Sequence, residues 1–332
     1  MKIAPHILAH GNWISMADFM EVALYDEDAG YYSHNIPGIG YRGDFATAAT
    51  MSSLPARRIV ALWRESSKAC GCRLPIIEIG GGNGDMAMAV RREFSLWEKM
   101  FARYIMVDRA AALRQLQRIV AGSAVSICDT VEKALKKVNG RAFIFSNELP
   151  DAFPARQFVF QNGEWWELGL AVADGRVIRQ ADKQPLPAST AFTTWAKEGQ
   201  VIEVHESYHK WYAAWQKHWQ QGTLLTIDYG QTVDKLYYRR PGGSLRGYKA
   251  HTLLGADELA PLAGKCDITA DVNFTDLINL ARGCEGDTLQ YMSQRDFLLP
   301  MADTTRPEEQ HLVTEGGAGT YFNVLIQHRY GN

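Results

Sequence analysis

The stretch that most constrains this chain is Ile76-Ile77-Glu78-Ile79-Gly80-Gly81-Gly82-Asn83-Gly84-Asp85. An apolar run ends beside an acid, and glycines recur at Gly80, Gly82 and Gly84 before a helical pattern opens at Asp85. A buried strand that delivers a glycine turn to a helix N-terminus lets backbone approach a ligand with no Cβ in the way. A dinucleotide fingerprint spaces its glycines Gly-x-Gly-x-x-Gly. Here they alternate, and Asp85 stands where the third glycine would fall. A carboxylate at Glu78 repels pyrophosphate but suits a ligand that carries an ammonium and a sulfonium. S-adenosylmethionine (SAM) is such a ligand.

From residue 75 the hydrophobic pattern alternates strand and helix: Ile76–Ile79, helix 85–95, Tyr104–Val107, helix 110–120, Ala124–Cys128, helix 130–138 and Ala142–Phe145. Short links between such units predict a parallel sheet with helices on both faces, and ligands beyond the carboxyl ends of its strands. Four strands end at or near an acid: Glu78, Asp108, Asp129 and Glu148. Asp108 is placed for ribose hydroxyls. Asp129 either reaches the adenine amino group or caps the helix that follows, and both roles are compatible.

After Pro154 the period changes to two. Asn162-Gly163 and Asp174-Gly175 separate alternating segments, an antiparallel meander signal. The core pattern resumes at Thr223–Gly230, and Thr288–Tyr291 and Tyr321–His328 complete seven strands, the last fitting the antiparallel edge insertion that many such sheets carry. We therefore expect a Rossmann-like α/β fold with a seven-stranded, mostly parallel sheet. The segments are an N-terminal helical and lid region (1–70), the first part of the core (71–155), an inserted β-meander and helix (156–221), and the second part of the core with a substrate loop (222–332). The N-terminal helix is capped by Ser15, with Gly30 as its stop. The glycine-rich stretch up to Thr47 is either a ligand lid or a plain surface loop. The polar loop Gly242–His251 looks like binding surface.

Composition excludes several classes. A net charge of -2 gives no global basic footprint for nucleic acid. No apolar run approaches the roughly 18 residues of a membrane span. Five cysteines without a paired framework, Cys70-Gly-Cys72 among them, suggest a reducing compartment and no metal site. The start of the sequence shows no leader pattern, so the expectation is a cytoplasmic protein. Trp211, Tyr212, Trp215 and Trp219 on one helix make either a packing stripe or a dimer face.

In order along the chain stand Gly30-Tyr31-Tyr32; Gly43-Asp44-Phe45 with Thr47; Glu78-Ile79-Gly80-x-Gly82-x-Gly84; Asn147-Glu148 with Asp151 and Pro154; Asp228-Tyr229-Gly230; Ser244-Leu245-Arg246-x-Tyr248 with His251; Asp267–Val272 with Phe274; and Gln294 with Phe297-Leu298. With these motifs the chain resembles the MidA-like family of class I SAM-dependent methyltransferases. It departs from that pattern at Ala49-Thr50, where relatives carry Pro-Glu, at Gly81 (usually Pro), at Asn273 (usually Asp), and near Pro300–Ala302. The resemblance implies SAM as cofactor and adds Gly43, Asp44 and Asn147 to Glu78, Gly80, Gly82, Gly84, Asp108 and Asp129 as its binding residues. It implies a protein arginine side chain as methyl acceptor. A guanidinium arrives charged, so it needs carboxylates to orient it and take its proton. Glu148 and Asp151 are the catalytic candidates, bracing of their loop being the alternative. Arg246, Tyr248 and His251 either bind substrate or brace theirs. Two other functions stay open: a small-molecule N- or O-methyltransferase, and an assembly factor without turnover.

Overall fold

The computed structural model describes residues 2–34, 52–249, 252–284 and 286–330. The chain packs as two units. One takes the described residues of Met1–Pro37, Pro150–Trp211 and Gly230–Leu277; the other takes those of Gly38–Leu149, Tyr212–Tyr229 and Ile278–Asn332. These boundaries cut across the four segments drawn from sequence, because contacts distant in the chain decide them.

The second unit is built on seven strands: β1 (Ile76–Ile79), β2 (Tyr104–Val107), β3 (Ser126–Cys128), β4 (Arg141–Asn147), β5 (Gln221–Gln231), β6 (Thr288–Ser293) and β7 (Phe322–Arg329). Their order is β6-β7-β5-β4-β1-β2-β3. β7 runs antiparallel to both neighbours, and the other adjacent pairs are parallel. The last strand is thus antiparallel, as the sequence suggests, but it lies inside the sheet, between β5 and β6. Its burial explains the apolar run Val324-Leu325-Ile326. β1 and β2 are buried along their whole length, the signature of parallel strands covered on both faces. Strand order reverses between β1 and β4, so the crevice for a ligand opens there.

The helix Leu54–Ala69 supplies Ile59, Val60 and Trp63 to the same core as Phe143, Phe145 and Val324. Each such fully buried side chain contributes about 1.5–3 kcal/mol. Tyr212, Trp215 and Trp219 are also buried, and the Trp219 indole donates to the Ala142 carbonyl at 3.3 Å. These three aromatics follow the packing reading.

In the first unit, Arg156–Gln161, Glu164–Ala173 and Arg176–Asp182 form the meander. Its turns, Asn162-Gly163 (φ 54° and 80°) and Asp174-Gly175 (φ 49° and 73°), take the doubly left-handed geometry that hairpins favour. One partner is not visible in the local sequence. Trp13–Ser15 forms a three-residue strand against Gly169–Ala171, which ties the N-terminal region to the insertion. Ser15 caps the helix Met16–Tyr25 with a reciprocal Asp18 bond. That helix ends at Asp26 rather than at Gly30. Gly242–His251 is not simply a loop either: Arg246–Lys249 is the middle strand of a small antiparallel sheet with Thr252–Gly255 and Asp267–Thr269.

The end of β7 is fastened by one ion pair. Arg329 donates through Nε and Nη2 to the two carboxylate oxygens of Asp287, at 2.9 and 2.8 Å. The Asp287 side chain is only 1% exposed. Arg329→Ala strands that buried charge, so we expect it to lower unfolding stability by about 3–5 kcal/mol, measured by urea denaturation. A loss within error of zero would show that Asp287 rehydrates at no cost.

Candidate functional site

The glycine turn after β1 is shaped by three left-handed residues, Gly80 (φ 68°), Gly82 (φ 54°) and Gly84 (φ 94°). At Gly80 a Cβ would lie 2.6 Å from Leu149 Cδ1, so both the backbone angle and the close approach require glycine. The turn feeds the helix Asp85–Arg92, with Gly84 at its N-cap. At Gly81 a Cβ would stand 2.9 Å from the Glu78 carboxyl carbon. Glu78 therefore tucks directly beneath the turn.

Glu78 is 2% exposed and accepts a 2.7 Å hydrogen bond from the Tyr104 hydroxyl. Burial pushes its pKa up to about 7, against the pull of that bond. Asp108, at the end of β2, is also buried, and its pKa rises to about 6, again mainly through desolvation. Its Oδ1 accepts from the Ala110 amide at 3.0 Å, and its Oδ2 from Gln117 Nε2 at 3.1 Å. The same Gln117 nitrogen donates to the Gly82 carbonyl at 2.9 Å. One buried glutamine thus ties the glycine turn to the acid on the neighbouring strand. Nothing in the sequence marks Gln117: it is one polar residue in an amphipathic helix, and only its burial distinguishes it.

Asn147 ends β4, and its Nδ2 donates to Glu148 Oε1 at 2.8 Å. Its buried Oδ1 has no hydrogen-bond partner among the described residues. Glu148 is left-handed (φ 55°), uncommon for a residue that is neither Gly, Asn nor Asp, and its amide donates to the Ile227 carbonyl. Backbone strain of this kind costs about 1–3 kcal/mol and clusters at functional sites. Asp129 stands apart from these buried groups, paired with Lys133 at 2.7 Å on the surface. The helix cap beside it is Thr130, not Asp129. Gly43, Asp44, Ala49, Thr50 and His251 lie outside the described residues.

These groups suit SAM. A carboxylate offers about four acceptor positions, and Asp108 commits two of them within the protein. The buried Asn147 Oδ1 and Gln117 Oε1 are acceptors with no donor among the described residues. Ammonium and ribose hydroxyl groups are donors, and the glycine turn leaves backbone open to them.

The family model described as "Putative S-adenosyl-L-methionine-dependent methyltransferase" matches residues 54–292, well over half of the chain. The chain belongs to this family. It is a SAM-dependent methyltransferase with the MidA-like pattern of motifs. A Burkholderia thailandensis protein crystallised with S-adenosyl-homocysteine has the same fold, with a TM-score of 0.83, 25% identity, and coverage of 99% of this chain and 92% of that one. "Protein arginine methyltransferase NDUFAF7 homolog, mitochondrial" from Drosophila melanogaster is 25% identical, over 91% of this chain and 77% of its own length. "Protein arginine methyltransferase NDUFAF7, mitochondrial" from Rattus norvegicus is 24% identical, over 88% and 72%.

The other unit of the methyltransferase holds Asp151, Arg246 and Tyr248. Asp151 is buried in the turn Pro150–Ala152 and accepts from the Thr269 hydroxyl at 2.6 Å, and its carbonyl accepts from the Ala270 amide. Desolvation raises its pKa, against the pull of Thr269 and Arg246. Arg246 donates through Nη1 to Asp271 at 2.5 Å and to the Ser244 carbonyl, and through Nε to the Tyr248 hydroxyl at 2.9 Å. Burial disfavours its charge, but Asp271 and Tyr248 outweigh that and hold it protonated. These bonds give Arg246 and Tyr248 a bracing geometry. His205, unmarked by sequence, is buried here, and desolvation pushes its pKa down to about 3, so it is neutral.

Two outcomes follow for the cofactor site. Gln117→Met keeps the side-chain length but loses both bonds, so SAM affinity measured by calorimetry should fall about tenfold, one charged hydrogen bond being worth ~1.5–3 kcal/mol. An unchanged affinity would remove Gln117 from the site. A cationic ligand needs Glu78 and Asp108 ionised, and protons compete with it below their raised pKa values. SAM should therefore bind at least about tenfold, and with both carboxylates required up to about a thousandfold, more weakly at pH 5 than at pH 8. A flat profile would mean that neither carboxylate senses the ligand. Without ligand the sign reverses. Both carboxyls keep protons that the unfolded chain releases at its lower pKa values, so their contribution to stability is lost as pH rises through about 6 to 7.

Proposed function

We propose that this methyltransferase modifies arginine side chains of a protein. The observation that carries the reading is the likeness to proteins named arginine methyltransferases over 91% and 88% of the chain. SAM supplies the methyl group on its sulfonium. The sulfur–carbon bond breaks as a nitrogen–carbon bond forms, S-adenosylhomocysteine leaves, and the guanidinium gives up one proton. In this proposal Glu148 orients the guanidinium and accepts that proton. Two features support the assignment: it follows β4 directly at the switch point, and Asn147 fixes one of its oxygens. Asp151 serves as a positioning residue that pins the following turn through Thr269 and Ala270. Compartment is part of the proposal: all five cysteines are free thiols, as a reducing compartment such as the cytoplasm would keep them.

The test is methyl transfer from labelled SAM to a cell extract, followed by amino-acid analysis of the labelled protein. Label on arginine supports the proposal, and label only on small molecules sinks it. Glu148→Gln should lower kcat at least about 100-fold, as loss of a general base does, with SAM affinity within twofold of the parent. Full turnover in that variant would remove Glu148 from the chemistry.

A further inference from the structure

We propose that the outer edge of β3 is a docking groove for an extended, carboxylate-rich segment of a partner protein. β3 is the last strand of the sheet, and among the described residues it pairs only with β2. Its other edge, unpaired among the described residues, lies beside a groove of about 600 Å³, lined in part by Ile127 and Cys128 of the strand itself. The walls carry Arg114, Arg118, Lys133, Lys136 and Lys137. The sole acid of the lining, Asp129, is taken by Lys133.

This charge is local, since the whole chain carries a net charge of -2. Arg114 is partly committed, donating to the Asp108 and Arg109 carbonyls. Arg118, Lys136 and Lys137 are exposed and have no carboxylate partner among the described residues. Arg103 continues the track, its guanidinium donating to the Lys137 carbonyl at 3.3 Å. Part of this pattern has a local cause, because Arg118, Lys136 and Lys137 sit in the last turns of their helices, where the dipole favours cations. The dipole does not explain why two helix ends converge on one open strand edge.

Three features select the occupant. A free strand edge takes an extended peptide by main-chain pairing. Lysine beside an edge discourages neutral strands, whereas for a strand bearing carboxylates the same lysines attract. The lining has no aromatic side chain on which a base could stack, so single-stranded nucleic acid lacks its usual platform. The groove adjoins the cofactor site through Arg114, but Glu78, Asp108, Gln117 and Asn147 do not line it, and the proposal holds for any methyl acceptor.

The test uses the full chain saturated with SAM and a fluorescein-labelled peptide of alternating glutamate and valine, followed by anisotropy. We expect binding at low salt that weakens as salt rises. The double variant Arg118→Glu/Lys136→Glu should bind the peptide at least about tenfold more weakly, as loss of two rim charge pairs predicts, with unchanged melting temperature and SAM affinity. The same peptide with N-methylated valines keeps its charge but cannot pair, and it should also bind about tenfold more weakly. No binding at low salt, indifference to the charge reversal, or equal affinity of the N-methylated peptide would each overturn the proposal. Tighter binding of an oligothymidylate that is lost in the double variant would overturn it in favour of nucleic acid.

Discussion

A carboxylic acid buried beneath a glycine turn is the constraint on which this methyltransferase site depends. Glu78 is almost wholly withdrawn from water, and an unpartnered buried carboxyl is costly. Tyr104 supplies the partner because β1 and β2 are parallel and in register, Ile76 opposite Tyr104 and Glu78 opposite Met106. A one-residue slip would turn the hydroxyl to the other face of the sheet. The sheet's register therefore fixes the acid, which lies directly against the turn at Gly81.

Around that acid the site is held by short polar links. Gln117 joins the Gly82 carbonyl to Asp108, and Asn147 holds Glu148. Among the described residues, the side-chain oxygens of Asn147 and Gln117 have no hydrogen-bond donor. Buried acceptors without donors cost stability, of order 1–3 kcal/mol each. Two raised carboxyl pKa values and a left-handed Glu148 add to that cost. A cationic cofactor with hydroxyl and ammonium donors offsets these terms together. Ligand affinity and the instability of the ligand-free site thus have a common origin.

Much of this was legible from the residues. The alternation of glycines, the apolar runs of β1, β2 and β4, and the Asn-Gly and Asp-Gly turns are local signals, each set by backbone sterics or by burial on both faces of a sheet. Other features required contacts far apart in the chain. Trp13–Ser15 carries no strand signal beyond three residues, and it becomes a strand because Gly169–Ala171 presents a free edge. Arg246 reads as an exposed loop cation, yet Asp271, Ser244 and Tyr248 enclose it. Tyr104 reads as an ordinary strand aromatic, and its role appears only once Glu78 lies beside it.

The sequence by itself determined the class of fold, the glycine turn and the family, because these follow from periodicity, from the φ angles only glycine adopts easily, and from a set of motifs kept in order. Only the tertiary structure decided which polar groups are buried and what each one meets. Desolvation depends on everything packed around a group, so the raised pKa values of Glu78 and Asp108, the bridging of Gln117 and the free edge of β3 have no counterpart in any short stretch of residues.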